Sequence, residues 1–122
     1  ADTDNVDTLI FDEIDTGVSG RAAQKIAEKI NVVSNKKQVI CITHLPQIAS
    51  MADWHYMIEK REEEGRAITN VRVLSEEERK NEVARIIGDV SVTDLTLQNA
   101  AEMLQMAKQI KEVNMDWLNQ KA

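Results

Sequence analysis

The sequence has one cysteine, Cys41, and so can form no internal disulfide. A disulfide-stapled secreted scaffold is excluded, and a reducing cytoplasm is the simplest setting. Cys41 lies in the apolar run Val39-Ile40-Cys41-Ile42, which reads as a packed core thiol rather than a reactive one. Aromatic residues are Phe11, Trp54, Tyr56 and Trp117 alone, so the core must be mostly aliphatic. No apolar run approaches the roughly 20 residues that span a bilayer, and no signal-peptide pattern is present. There is no internal repeat and no low-complexity tract. Basic residues are outnumbered, 15 Lys and Arg against 21 Asp and Glu, for a net charge of −6. This balance argues against a main DNA-binding surface within these residues, because phosphate contacts need clustered cations. What remains is 122 residues, 43% hydrophobic and 30% charged, which suits one globular domain with a modest core.

One stretch organises the rest. Thr8-Leu9-Ile10-Phe11 suits a buried strand and ends abruptly in Asp12 and Glu13. The run does not alternate, which predicts a strand over 8–12 covered on both faces of a parallel sheet. A turn with two glycines, Ile14–Gly20, leads into apolar residues at helical spacing: Ala23, Ile26, Ala27 and Ile30. These predict a helix over 20–33 with Ser19 as its N-cap. After the polar turn 34–37, residues 38–43 read as a second buried strand. Strand, helix and strand at this distance form a βαβ unit with parallel strands and a right-handed crossover.

His44 follows the second strand directly, and Pro46 opens a short helix through Ala52. Residues 54–60 and 66–74 read as a hairpin around the charged turn Glu62–Gly65, with Thr69, Val71 and Val73 on one face. Ser75-Glu76-Glu77-Glu78 matches a capping box and starts a helix over 76–87, carrying Val83, Ile86 and Ile87 and stopping at Gly88. Thr93 or Ser91 caps a last helix over 94–119. Its apolar positions Leu97, Ala100, Leu104, Ala107, Ile110, Val113 and Trp117 cover more than one narrow stripe. Part of that surface is therefore expected to pack outside this segment or to self-associate.

Strand-end acids have two readings. They can simply mark where a buried strand meets water. They can also serve phosphoryl transfer, in which a strand-end Asp helps hold magnesium and a separate residue orients the attacking water. Neighbouring residues point to opposite sides of a strand, so Asp12 can face a metal while Glu13 faces a water. His44 favours the second reading. Parallel neighbours bring their C-terminal tips together, and a histidine there can meet a γ-phosphate or the developing charge of transfer. Asp15 and Ser19 either cap the following helix or belong to a loop exchanged between two nucleotide-binding heads, for which Gly17 and Gly20 would allow close approach.

Thr8–Gly20, with its Phe-Asp-Glu-Ile-Asp-Thr-Gly-Val-Ser-Gly wording, together with Val39-Ile-Cys-Ile-Thr-His-Leu-Pro-Gln-Ile-Ala49, resembles the C-terminal part of the RecN family of bacterial DNA repair proteins. That family is related to the SMC proteins and has an ATP-binding-cassette head. Arg79–Gly88 and Thr96–Leu104 resemble its late helices, so the likeness covers essentially the whole chain. The resemblance implies an α/β fold: the C-terminal half of an ABC/SMC-type P-loop NTPase head, with parallel strands and a crossover helix, then a hairpin and C-terminal helices. It implies that Asp12 is the Walker-B magnesium ligand, Glu13 the catalytic glutamate and His44 the switch histidine. Asp15, Thr16 and Gly17 would then form the D-loop. ATP and Mg2+ are the implied ligands. The implied partners are the upstream half of the same head, a second head in a homodimer, and DNA through other parts of the protein; no membrane is implied. The implied setting is the cytoplasm, at the nucleoid.

The chain departs from a complete head. No G-x-x-x-x-G-K-[ST] phosphate loop and no Leu-Ser-Gly-Gly-type signature occurs in it. In the family both precede this segment, as does a coiled coil, so the chain is expected to hold half a site and to be inactive alone. The alternatives are the head of another SMC-like or transporter-type ABC ATPase, or a non-enzymatic dimerisation segment.

Overall fold

The structure, a computed structural model, describes residues 7–12 and 20–121, with side chains as far as Met115. In chain order come β1 (Thr8–Asp12), α1 (Gly20–Ser34), β2 (Gln38–Ile42) and α2 (Pro46–Met51). They are followed by β3 (Tyr56–Glu63), β4 (Arg66–Val73), α3 (Glu76–Gly88) and α4 (Asp94–Lys121). The mixed α/β content matches the expectation. The strands make two separate pairs: β1 with β2 in parallel, and β3 with β4 antiparallel.

The βαβ unit forms as its spacing predicts. Thr8 lies opposite Gln38, and the register continues to Asp12 opposite Ile42. The start of the pair is fastened by Gln38 N–H donating to Asp7 O at 2.8 Å and Thr8 Oγ1 donating to Gln38 Oε1 at 3.0 Å. On α1, Ala23, Ala27 and Asn31 are buried, four residues apart on one face. The helix ends where side chains take over its last carbonyls: Ser34 Oγ and Asn35 Nδ2 donate to Asn31 O at 2.6 and 3.1 Å. The predicted N-cap Ser19 lies outside the described residues.

The expectation of a strand covered on both faces is corrected. Leu9 and Phe11 of β1 and Val39 and Cys41 of β2 are half-buried, whereas Ile10 is 66% exposed, Ile40 44% and Ile42 43%. The helices of this chain cover one face of the pair. Among the described residues nothing covers the other, so an unalternating apolar run carries an open isoleucine face.

α4 is the spine of the helical layer, and two clusters are strung along it. Near its start Ala100 packs with Val83 and Ala84 of α3, flanked by Ile87, Leu97 and Leu104. Further on, Ala107 joins Ala27 of α1 with Ile48 and Met51 of α2, flanked by Ile26, Cys41, Leu45 and Ile110. Alanines at the contact points let the helices approach closely, which suits a core with few aromatics. Of the apolar α4 positions read from the sequence, Leu97, Ala100, Leu104, Ala107 and Ile110 therefore face this chain's own core. Val113 is exposed, as are Leu95, Met106 and Met115. The side chain of Trp117 lies outside the described residues.

Ala100 is fully buried and Ala101, its neighbour on the helix, is exposed. Ala100→Leu forces three carbons into a filled seam and should cost about 1–3 kcal/mol. Ala101→Leu should leave stability within about 0.5 kcal/mol. Urea unfolding of the two variants checks this; equal midpoints would show that the α3–α4 seam is not packed as described.

The hairpin is longer than its apolar residues suggest. Glu62 and Glu63 belong to β3, and the turn shrinks to Glu64 and Gly65, both at positive φ of +52° and +76°. Two positive-φ residues are what a two-residue hairpin turn with the strands' own twist requires. Charged residues end an apolar pattern without ending a strand exposed to water. Trp54, expected within β3, precedes it. The hairpin is tied to the helices at its base: Leu74 is buried and its N–H donates to His55 O at 2.8 Å, and Arg72 pairs with Glu78 of α3.

Both later helices are capped in ways their sequences announce. Ser75 and Glu78 form the full capping box, with Glu78 N–H donating to Ser75 Oγ at 3.2 Å and Ser75 N–H to Glu78 Oε1 at 3.1 Å. At α4 the cap is Thr93. Thr96 N–H donates to Thr93 Oγ1 at 3.2 Å and Thr93 N–H donates to Thr96 Oγ1 at 2.8 Å, so a threonine takes the place usually held by glutamate. Gly88 is the last residue of α3 rather than its stop signal. A Cβ at position 88 would lie 3.4 Å from Thr96 Cγ2, an ordinary van der Waals contact, so α3 meets α4 here without requiring a glycine. The positive φ falls on Asp89 instead (+59°, with ψ −56°), and Val90 N–H donates to Gly88 O at 2.6 Å. That combination is the rare positive-φ γ-turn, a strained conformation for a residue with a side chain. Among the described residues no helix is long and apolar enough to cross a membrane.

Candidate functional site

The parallel register decides what meets at the sheet's C-terminal end. Asp12 is the last residue of β1 and lies opposite Ile42, the last of β2. His44 follows two residues beyond Ile42. Asp12 and His44 are both exposed, at the edge where open α/β sheets carry their ligand crevice. The connection that presents His44 is tight. Thr43 Oγ1 accepts from Leu45 N–H at 3.0 Å, closing a turn around His44, and Leu45 O accepts from Ala49 N–H at 3.1 Å. Pro46 then sits at the first helical position, where its missing N–H costs nothing. His44 thus stands between a strand end and a helix start, with little slack on either side.

Glu13, Asp15, Thr16 and Gly17 lie outside the described residues, so the structure places Asp12 and His44 and leaves the other site positions to the sequence. Among the described residues no group of three His, Cys, Asp or Glu side chains is arranged to hold a metal ion. Magnesium bound mainly through phosphate and water needs one or two carboxylates, and Asp12 is of the right donor type for that.

The sequence reading missed a second constellation, at the other end of α2. Arg79 Nη2 donates to three carbonyls there: Ala49 O at 3.2 Å, Ser50 O at 3.0 Å and Ala52 O at 2.6 Å. Lys111 Nζ donates to Ala52 O at 2.9 Å and to Asp53 Oδ1 at 3.1 Å. Two half-buried cations from α3 and α4 therefore satisfy the last carbonyls of a six-residue helix and lie at the negative end of its dipole. Burial lowers the pKa of both; Asp53 opposes that at each, at Lys111 by a hydrogen bond as well as by its charge. The partners lie far apart in sequence, so local pattern could not reveal the cluster. One clue existed: Lys111 falls four residues after Ala107, on the buried stripe of α4.

His55 sits beside this cluster. Burial lowers its pKa below the ordinary 6.5, the Arg79 charge lowers it further, and Glu82 partly offsets both. A histidine held below its unfolded value stabilises the fold fully above pH 6.5, and that contribution is lost as pH falls through the folded value. Glu78, held down chiefly by its hydrogen bonds with Ser75, loses its contribution separately, below its ordinary 4.5. Stability should therefore begin to fall already between about pH 6.5 and 5. In a folded His55→Gln variant that part of the slope should flatten; an unchanged slope would remove His55 as its source. Denaturant midpoints at half-unit pH steps measure it.

No protein-family model matches the chain. A solved chain described under the structural biochemistry of ATP-driven dimerization and DNA-stimulated activation of SMC ATPases aligns with 70% of this chain and 48% of its own length. The alignment has a TM-score of 0.54 at 23% identity, which makes the fold that of part of an SMC ATPase. The DNA repair protein RecN of Bacillus subtilis is 55% identical over 107 residues, 88% of this chain and 19% of that protein. RecN of Halalkalibacterium halodurans is 55% identical over 106 residues, and RecN of Deinococcus radiodurans 40% over 104. The chain belongs to the RecN family and corresponds to a C-terminal part of it. It spans about a fifth of the length of the curated relatives it matches.

Proposed function

We propose that this chain forms the C-terminal portion of an ATP-binding and ATP-hydrolysing head, in a RecN protein acting in recombinational repair of DNA double-strand breaks. The observation that carries the reading is the register of β1 on β2, which leaves Asp12 and His44 at one end of the sheet. In this reading Asp12 holds Mg2+, usually through a water. The ion supplies charge neutralisation on the β- and γ-phosphates when bound. Glu13 takes a proton from the attacking water, and His44 donates a hydrogen bond toward the γ-phosphate, where charge develops. Asp15, Thr16 and Gly17 belong to the loop that meets a second head.

The upstream half of the head is the first partner. The open face of Ile10, Ile40 and Ile42 suits it, because a two-stranded parallel pair is not a stable sheet by itself. A second head in a homodimer is the next, in line with the ATP-driven dimerization named for the SMC ATPase neighbour. DNA is met by other parts of the protein, since this segment carries a net charge of −6. A cytoplasmic, nucleoid-associated setting follows from that role. A second reading, a dimerisation segment without chemistry, draws support from the exposed Met106, Val113 and Met115 of α4. Glu13→Gln in the longer RecN protein separates the two. Loss of turnover with ATP still bound supports the hydrolytic head, and unchanged turnover leaves the interaction segment.

A further inference from the structure

We propose that Arg79 and Lys111 are positioning residues for His44, holding it on the phosphate side by locking the far end of α2. The proposal rests on the reading of His44 given above. A line of contacts leads from the clamp to the histidine. Arg79 donates to the carbonyls of Ala49, Ser50 and Ala52. Ser50 in turn donates its hydroxyl to Pro46 O, one turn back and two residues from His44. Ala49 N–H donates to Leu45 O, and Leu45 N–H donates to Thr43 Oγ1 across the turn that contains His44. α2 has six residues, too few to hold itself as a helix in water, so its shape depends on its caps and packing. Ile48 and Met51 fix it sideways in the core, and the two cations fix it along its axis. Because the cations come from different helices, the setting of His44 is tied to the way α3 and α4 are joined.

Arg79 is half-buried, and its Nε is buried with no hydrogen-bond partner in the described structure. Burying a guanidinium with one donor unmet is costly, and that cost is offset by the three carbonyls it meets, which would lose this donor if an apolar residue took its place. One nitrogen of the guanidinium, Nη2, meets all three carbonyls and so fixes where they lie relative to α3.

Two measurements test this. In this chain, Arg79→Met should shift or broaden the Hε1–Cε1 signal of His44, with the two histidine signals assigned through His55→Gln. Arg85→Met, at an exposed position on the same helix, should not. Lys111→Met should act in the same direction and replaces Arg79→Met if that variant does not fold. An unmoved His44 signal in the folded clamp variants overturns the proposal. In the longer RecN protein, Arg79→Met should lower kcat at least tenfold with KM within threefold, and Arg79→Lys should recover part of the loss. With His44→Ala already present, Arg79→Met should change kcat less than twofold; full additivity overturns the coupling. If His44→Ala alone leaves turnover unchanged, the reading of His44 fails, and the resonance shift still decides whether the clamp positions it.

Discussion

Replacing Glu13 by Gln in the longer RecN protein is expected to lower ATP turnover by about a hundredfold or more while ATP still binds. The side chains are nearly the same size, and the change removes one property, the ability to take a proton. A positioned general base contributes roughly 10²–10⁴ in rate, which sets the scale. Binding should hold within about threefold, because the proposed reading gives magnesium to Asp12 and the grip on the phosphates to residues elsewhere. Asp12→Asn should separate from it by weakening magnesium-dependent binding itself, since a neutral amide is a poorer ligand for a hard cation. Single-turnover phosphate release with parallel nucleotide binding gives both quantities. If Glu13→Gln hydrolyses ATP at the parental rate, Glu13 is not the base. If ATP binding falls with turnover, its part is structural.

The second large effect concerns this chain on its own. Titrated with ATP and magnesium in a calorimeter, the 122 residues should bind no more tightly than about 100 μM. In the proposed reading the longer protein adds a phosphate loop, with its backbone amides and a lysine, and should bind far more tightly. The difference follows from sign and number of contacts. The described site offers one carboxylate and one histidine to a polyanion, on a segment whose net charge is −6. A carboxylate attracts phosphate only through a cation between them. Sub-micromolar, magnesium-dependent binding by the chain alone would mean that these residues grip phosphate by some means not described above, and the half-site reading would fall.

The legible parts of this molecule were those governed by local rules. Apolar runs ending in turn residues located β1 and β2, and the distance between them required a parallel pair. The capping box of Ser75 and Glu78 and the proline opening α2 were visible because caps act within one turn. What escaped had non-local causes. Gly88 looked like a stop, yet it lies within α3, and Asp89 took the strained φ. The apolar surface of α4 looked broad enough to leave part of it for a partner, and Leu104 and Ile110 within it are packed against this chain's own helices. The unbroken apolar run of β1 announced two covered faces; the described residues cover one and leave Ile10, Ile40 and Ile42 exposed on the other. At the site, Asp12 and His44 could be brought together on paper because parallel strands share a direction. Arg79 and Lys111 could not, because their partners lie 27 to 59 positions away.

The exposed link 89–93 between α3 and α4 ordinarily marks a place where a chain tolerates added residues. Here it does not. α3 brings Arg79 and α4 brings Lys111 to the same carbonyl, Ala52 O, and the γ-turn at Asp89 and the Thr93 cap set how the two helices are phased. One inserted residue would rotate α4 by about 100° at its start. Either Lys111 would leave Ala52 or Ala100 would leave Val83. The length of that loop is thus under the same constraint as a core residue, and an exposed link acts as a gauge block for the helix behind His44.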